Sequence, residues 1–306
     1  MKMVGEKIFP VGLAIWLALT LLPVCPLAAG TTDGTRVALA AGGMLKQLPE
    51  SLRSNEKICL DLQALAAGYP SAIKKILCQS PERLSILMAN GQTIIYDDGR
   101  RKTPEEKLAQ PDLEDMLSQP YPVGKPLSLP RPEQDPGRIR VEAFFQAVYG
   151  STPTEVQTRL VAVPIGGTVV RFQGANGAAA ALARVGGRLS QILTQKPALR
   201  AYLLPLQGTF HHRRIAGTER LSAHAWGIAI DLHKGSYWRW GKIFAPFELL
   251  AMQQTYPQEI VQAFEAEGFI WGGKWYHYDT MHFEYRPELL AKAHLTEKSD
   301  LSAGKR

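Results

Sequence analysis

Residues 11–22, VGLAIWLALTLL, form an unbroken apolar run preceded by Lys2 and Lys7 and followed by PVCPLAAG. A charged start, a short apolar stretch and a small-residue tail are the parts of a secretory signal, read here over residues 1–29. The alternative is a run retained as a membrane anchor, because cleavage after Ala29 puts Leu27 where a small residue is preferred, and Ala38-x-Ala40 lies farther from the run. Beyond it the apolar period changes repeatedly. LDLQALAAGYPSAIKKILC (60–78) has helical spacing, whereas RLSILMANGQTIIYDDG (83–99) places Asn90-Gly91 between two apolar runs, a hairpin signal. TPEEKLAQPDLEDMLSQ (103–119) predicts helix on either side of Pro111. Residues 30–119 therefore read as a small α+β segment of undetermined role.

Six prolines then fall within residues 120–136, a density that forbids a regular helix or a central strand. Residues 120–138 are either an extended linker or a strap laid across the next domain. From Ile139 the periodicity returns. IRVEAFFQAVYG predicts an amphipathic helix ending at Gly150, TRLVAVPI and GTVVRF predict strands, and Leu182, Val185, Leu189, Ile192 and Leu193 recur at helical spacing. PALRAYLLPL adds a helical turn or two, and APFELLAMQQTYPQEIVQAFEAEG is a helical block in which Pro257 suits a first turn and Gly268 a stop. Residues 139–295 form the main domain, and the polar tail 296–306 is expected to fray. The fold class is α+β, with a small antiparallel sheet and helices packed on one side.

Composition changes this picture little. A chain of 306 residues that is 45% apolar is globular and has enough material for a sizeable core. The formal charge of +7 falls to +6 if residues 1–29 are removed, a basic balance that suits contact with anionic wall polymers or lipid head groups but equally a solvated surface. No pattern calls for nucleic acid, and nothing sets an oligomeric state. With Cys25 inside the signal, Cys59 and Cys78 remain as an even pair in an oxidising compartment, and a disulfide between them is expected.

The chemistry concentrates in two short stretches. In LSAHAWGIAIDLH (221–233), His224 and Asp231 bracket a strand-like apolar run, where a carboxylate is costly unless paired or bound to metal. In WGGKWYHYDTMHFEY (271–285), a second strand, MHFEY, places His282 and Glu284 on one face. If the strands are neighbours, His224, Asp231 and His282 converge as two imidazoles and a carboxylate with a fourth position open, the ligand set of a catalytic zinc site. Asp279, on the turn entering the strand, can take a proton from the attacking water and return it to a leaving amine. Glu284 either orients a ligating imidazole or faces solvent. Trp271 and Trp275 flank the Gly-Gly turn and could wall a groove, while His211, His212, His233, His277 and His294 read as surface or rim residues, His277 alone being close enough to line a cleft.

SAHAWGIAID matches the SxHxxGxAxD signature of the zinc D-alanyl-D-alanine carboxypeptidases and the related L-alanyl-D-glutamate endopeptidases of phage endolysins, and WGGKWYHYDTMHFE resembles their second motif. RRIAGTERLSAHAWGIAIDL is similar to the approach to the first ligand in that family, and the resemblance spans about residues 140–290. It implies that His224, Asp231 and His282 bind Zn2+, that Asp279 is the general acid/base, and that an arginine ahead of the first motif stabilises the oxyanion. Arg213 fits that position, with Arg214 as the second choice. Ser222 matches the serine of the signature and would hold the loop or a substrate group, with Trp275 beside the substrate. Aspartate at position 279, where the carboxypeptidase branch usually has glutamate, is closer to the endopeptidase branch. The implied function is exported hydrolysis of peptide bonds in peptidoglycan stem peptides, with possible membrane attachment through the N-terminal segment. The opposing reading is a wall-binding or scaffolding protein that keeps the metal without turnover.

Overall fold

The computed structural model describes residues 43, 45, 46, 48–80, 83–238, 246–302 and 304, with backbone alone at 246 and 247. The expected signal or anchor, with Cys25, lies outside them. Among the described residues no helix is long and apolar enough to cross a membrane.

The chain begins with α1 (Glu50–Arg53) and α2 (Glu56–Gly68), the latter capped by the Asn55 side chain, which accepts from Ile58 N. Three strands come next, β1 (Ile73–Ser80), β2 (Arg83–Met88) and β3 (Thr93–Ile95), paired antiparallel in the order β1-β2-β3. The hairpin at Asn90-Gly91 joins β2 to β3 as its sequence predicts. The stretch 60–78, expected to be helical throughout, divides instead. The helix stops at Gly68, and β1 pairs with β2 through Ile76 opposite Ile86, burying Ile73 and Ile76 and turning Lys74 and Lys75 outward. A short apolar run suits either period, and the neighbouring strand decides between them.

Helices α3 (Pro104–Ala109) and α4 (Leu113–Leu117) flank Pro111, each started by a capping box, on Thr103 and Asp112. Just ahead of α3, the Lys102 side chain is buried against Asp98, Asp112 and Asp115 at 2.9, 2.7 and 2.7 Å. The proline-rich segment is laid as a strap along the second half of the chain. Tyr121 Oη donates to Glu265 (2.6 Å), Lys274 Nζ to Pro122 O (2.6 Å) and Trp275 Nε1 to Pro136 O (2.7 Å).

Beyond the strap come α5 (Glu142–Tyr149), α6 (Pro153–Thr158), the hairpin of β4 (Leu160–Ile165) with β5 (Thr168–Gln173), α7 (Ala178–Gln195) and α8 (Arg200–Leu203). Helix α7 buries Leu182, Val185 and Leu189 on the side that packs against β4, leaving Ile192 and Leu193 at the edge. The last part holds β6 (Ala229–Asp231), α9 (Pro246–Thr255), α10 (Gln258–Glu265), β7 (Phe269–Trp271), β8 (His282–Tyr285) and α11 (Pro287–Ser302). The block 245–268 is thus two helices, with Pro257 capping α10 rather than lying in a first turn, and Gly268 (φ +87°) closing it. Strands β6, β8 and β7 form an antiparallel sheet with β8 central. The fold is α+β.

One buried apolar cluster runs from Leu48 to Leu290, so the N-terminal α+β segment shares its core with the rest. Helix α2 packs on α11, where Asp61 pairs with Lys292 (2.5 Å) and Tyr69 Oη donates to Glu288 (2.8 Å). That packing carries α11 through Thr296, where fraying was expected, and Ser299 Oγ donates back to Glu56 (2.6 Å). The expected Cys59–Cys78 disulfide is not formed. Both thiols are free, and each turns to a nearby carbonyl, Cys59 to Arg53 O (3.3 Å) and Cys78 to Ser80 O (3.4 Å).

Limited proteolysis is expected to nick the strap only at its exposed stretch around Leu127 to Glu133, leaving the two pieces associated on a sizing column because both flanks are anchored. Release of a folded fragment beginning near Ile139 would contradict this packing.

Candidate active site

The sheet brings the two sequence stretches together. Strands β6 and β8 pair so that Asp231 lies directly opposite His282. His224 reaches the same point from a 3₁₀ turn, Ala223–Trp226, capped by Ser222, whose hydroxyl accepts from His224 N at 3.4 Å. Gly227 ends that turn in the left-handed region (φ +68°), where an added Cβ would lie 2.6 Å from Leu160 Cδ2. Glycine takes this left-handed turn without strain and leaves room for Leu160 beside the return into β6.

His224 Nδ1 lies 2.6 Å from Thr209 O, a pure acceptor, so Nδ1 donates there and Nε2 is the nitrogen turned into the site. That Nε2 is buried 3.2 Å from Asp231 Oδ2. Asp231 Oδ1 is 3.0 Å from His282 Nδ1, and His282 Nε2 is 3.1 Å from Glu284 Oε2. The three groups can hold one metal ion between them. Burial opposes charge on His282, but hydrogen bonds to Asp231 and Glu284 overcome it and push its pKa up to about 10. Burial also works against an ionised Asp231, and the two imidazoles reverse it and hold this carboxyl far below the usual range.

Asp279 enters on the turn before β8, its N–H donating to Gly272 O (2.9 Å) and its carbonyl accepting from His282 N (3.2 Å). Its Oδ1 is buried without a partner. Burial raises its pKa, and the charge of Asp231 adds to this while His282 and Arg138 oppose it. A recess of about 130 Å3 joins these groups, walled by Trp275, whose ring lies 5.5 Å from that of His282. Trp271 instead is core, with Nε1 donating to Thr280 O. Arg213 is exposed and lines the recess, its carbonyl accepting from Ser222 N, whereas Arg214 is spent on Glu219.

Several residues whose place the sequence left open or did not mark also build the site. Glu284 does not face solvent. It is fully buried, bonded to Arg140 (2.6 Å) and Arg286 (3.1 Å) as well as His282. His277, expected at the surface or rim, is buried, its N–H donating to Asp135 Oδ1 (2.8 Å) and its Nδ1 lying 2.6 Å from Asp135 Oδ2. Arg138, Arg140 and Arg220 line the recess beside Arg213. The one available signal was GRIRVE itself, in which extended backbone after a glycine sets Arg138 and Arg140 on the same side.

Residues 216–285 match the family model described as D-alanyl-D-alanine carboxypeptidase. The matched segment carries the site and is similar to that peptidase family of carboxypeptidase type. No curated protein and no solved structure matches the chain.

Replacing Glu284 with glutamine keeps the volume but removes the charge that Arg140 and Arg286 share. Breaking such a buried pair costs about 3–5 kcal/mol, so Glu284→Gln should unfold at markedly lower denaturant; an unchanged midpoint would remove the network from the stability of the sheet.

Proposed function

We propose that the protein is an exported zinc metallopeptidase that hydrolyses a peptide bond in peptidoglycan stem peptides, either D-Ala–D-Ala as a carboxypeptidase or L-Ala–D-Glu as an endopeptidase. The observation that carries this reading is the convergence of the His224, Asp231 and His282 donor atoms at one point in the recess. Donor separations of 3.0 and 3.2 Å suit ligands gathered around one small ion at about 2.0–2.2 Å from each. The residues therefore fit zinc, with His224, Asp231 and His282 as its holders and Glu284 orienting the His282 ring. When bound, zinc polarises the scissile carbonyl and increases the acidity of water.

The remaining roles belong to side chains. Asp279, its affinity for protons raised by burial, accepts a proton from the attacking water as the oxygen bonds to the carbonyl carbon. It then delivers that proton to the amine nitrogen as the C–N bond breaks. Arg213, at the mouth of the recess, stabilises negative charge on the carbonyl oxygen. Ser222 acts by capping the turn that presents His224, and Trp275 walls the substrate. The signal over residues 1–29 takes the protein to the periplasm or cell envelope, or stays as its membrane anchor, and the catalytic domain spans residues 139–295.

One zinc per chain is expected by metal analysis, lost in His224→Ala and His282→Ala. Because His282 is protonated at neutral pH in the metal-free protein, zinc must displace that proton, so apparent affinity should rise as pH rises toward about 10 and fall as it drops. Full zinc content in both variants would defeat the ligand assignment.

Incubating the zinc-loaded protein with defined muropeptides, with and without a chelator, and weighing the products tests the function and names the bond. Asp279→Asn should keep its zinc and lose turnover roughly 10²- to 10⁴-fold. Wild-type rates in that variant would sink the mechanism, and a wild type that binds wall fragments but cuts none would favour a scaffolding role.

A further inference from the structure

Arg138 lies outside the segment matched by the peptidase family and reaches the site from the end of the strap. Its guanidinium sits 4.7 Å from the centroid of the Trp275 ring, and Nη2 donates to His277 O at 2.7 Å. Its Nε is buried without a hydrogen-bond partner. Among the described residues it makes no ion pair with a carboxylate, unlike Arg140, whose charge is met by Glu284. Arg220 donates to Arg138 O (3.1 Å) and lies in the same recess, again without an ion pair among the described residues. Burial and the charges of Arg140 and Arg138 lower the Arg220 pKa to about 10. The recess thus holds a surplus of positive charge over Asp231 and Asp279, and such a surplus, partly out of water, is costly until an anion enters it.

We propose that Arg138 is a specificity-determining residue that binds a free carboxylate on the residue leaving as the amine. This rests on the peptidase reading above. Both candidate bonds supply that chemistry: a terminal D-alanine carries its own carboxylate, and a D-glutamate linked through its side chain keeps its α-carboxylate free. Arg138 lines the same recess as Asp279, the group that hands its proton to the leaving amine in the reading above. The planar fork of a guanidinium, braced by Trp275 and His277 O, matches a carboxylate with two parallel hydrogen bonds. A recess of about 130 Å3 suits a small residue there.

The test uses the zinc-loaded full chain and two pairs of peptides. One pair ends in D-Ala-D-Ala as acid or as amide; the other contains L-Ala-γ-D-Glu with its α-carboxyl free or amidated. In whichever pair is cleaved, the wild type should prefer the acid by a factor of roughly 10 to 100 in kcat/KM, the range expected of one hydrogen bond to a charged group. Arg138→Gln should raise KM for the acid by a similar factor, change KM for the amide far less and so erase the preference. Arg138→Lys, which keeps the cation but not the fork, should restore part of it, and serves as the readout if the glutamine variant does not fold. An acid preference that survives Arg138→Gln, or an equal loss on acid and amide, would overturn the proposal. If the wild type cleaves neither pair, the peptidase reading fails separately, and calorimetric binding of the same peptides decides on Arg138. Acid binding weakened by Arg138→Gln would support it, and equal affinity for acid and amide would refute it.

Discussion

A fully buried carboxylate in the middle of β8 constrains everything around it. Glu284 is tolerable there only because Arg140, Arg286 and the ring of His282 surround it, and those partners come from separate parts of the chain. Arg140 lies just past the strap, Arg286 opens the approach to α11, and His282 is the neighbour on the same strand face. Satisfying one charge therefore fixes the strap, the sheet and the last helix relative to each other. Gly137 makes the crossing possible. Its φ of +102° is open to glycine, and a Cβ there would lie 2.4 Å from Ile270 Cδ1 and 3.1 Å from Glu284 Oε1. Its carbonyl accepts from Arg286 Nη1 at 2.6 Å, so the backbone itself joins the network.

The same charges separate the two carboxylates at the site. Asp231 sits between two imidazoles, which keep it ionised despite burial, while Asp279 is buried with its Oδ1 unpartnered and beside the negative charge of Asp231, and its pKa moves upward. Two aspartates in one recess are thereby given opposite tendencies, one to hold charge and one to exchange a proton.

The N-terminal α+β segment contributes through packing. Helix α2 lies on α11, and Tyr69 donates to Glu288, which in turn accepts from Arg286 at 2.5 Å. A chain of contacts thus runs from the first helices to the charge network behind the sheet. Residues 48–119 share the core that supports the site rather than forming a separate unit beside it.

Much of this was legible along the chain. An apolar run marked β6, the MHFEY stretch marked β8, helical spacing marked α7, Asn90-Gly91 marked its hairpin, and His224, Asp231 and His282 stood out because a carboxylate in an apolar strand demands a partner. What periodicity reports is which side of an element is buried, not what covers it. That is why residues 60–78 looked like one helix until β2 supplied a strand partner, why Cys59 and Cys78 looked ready to pair, and why His277 looked like a rim residue until the strap placed Asp135 against it. Arg138 and Arg140 read as two arginines after a proline-rich stretch. Only the tertiary fold, by laying that stretch across the sheet to neutralise Glu284, carried both into the site, because a buried charge selects its partners by distance in space and not along the chain.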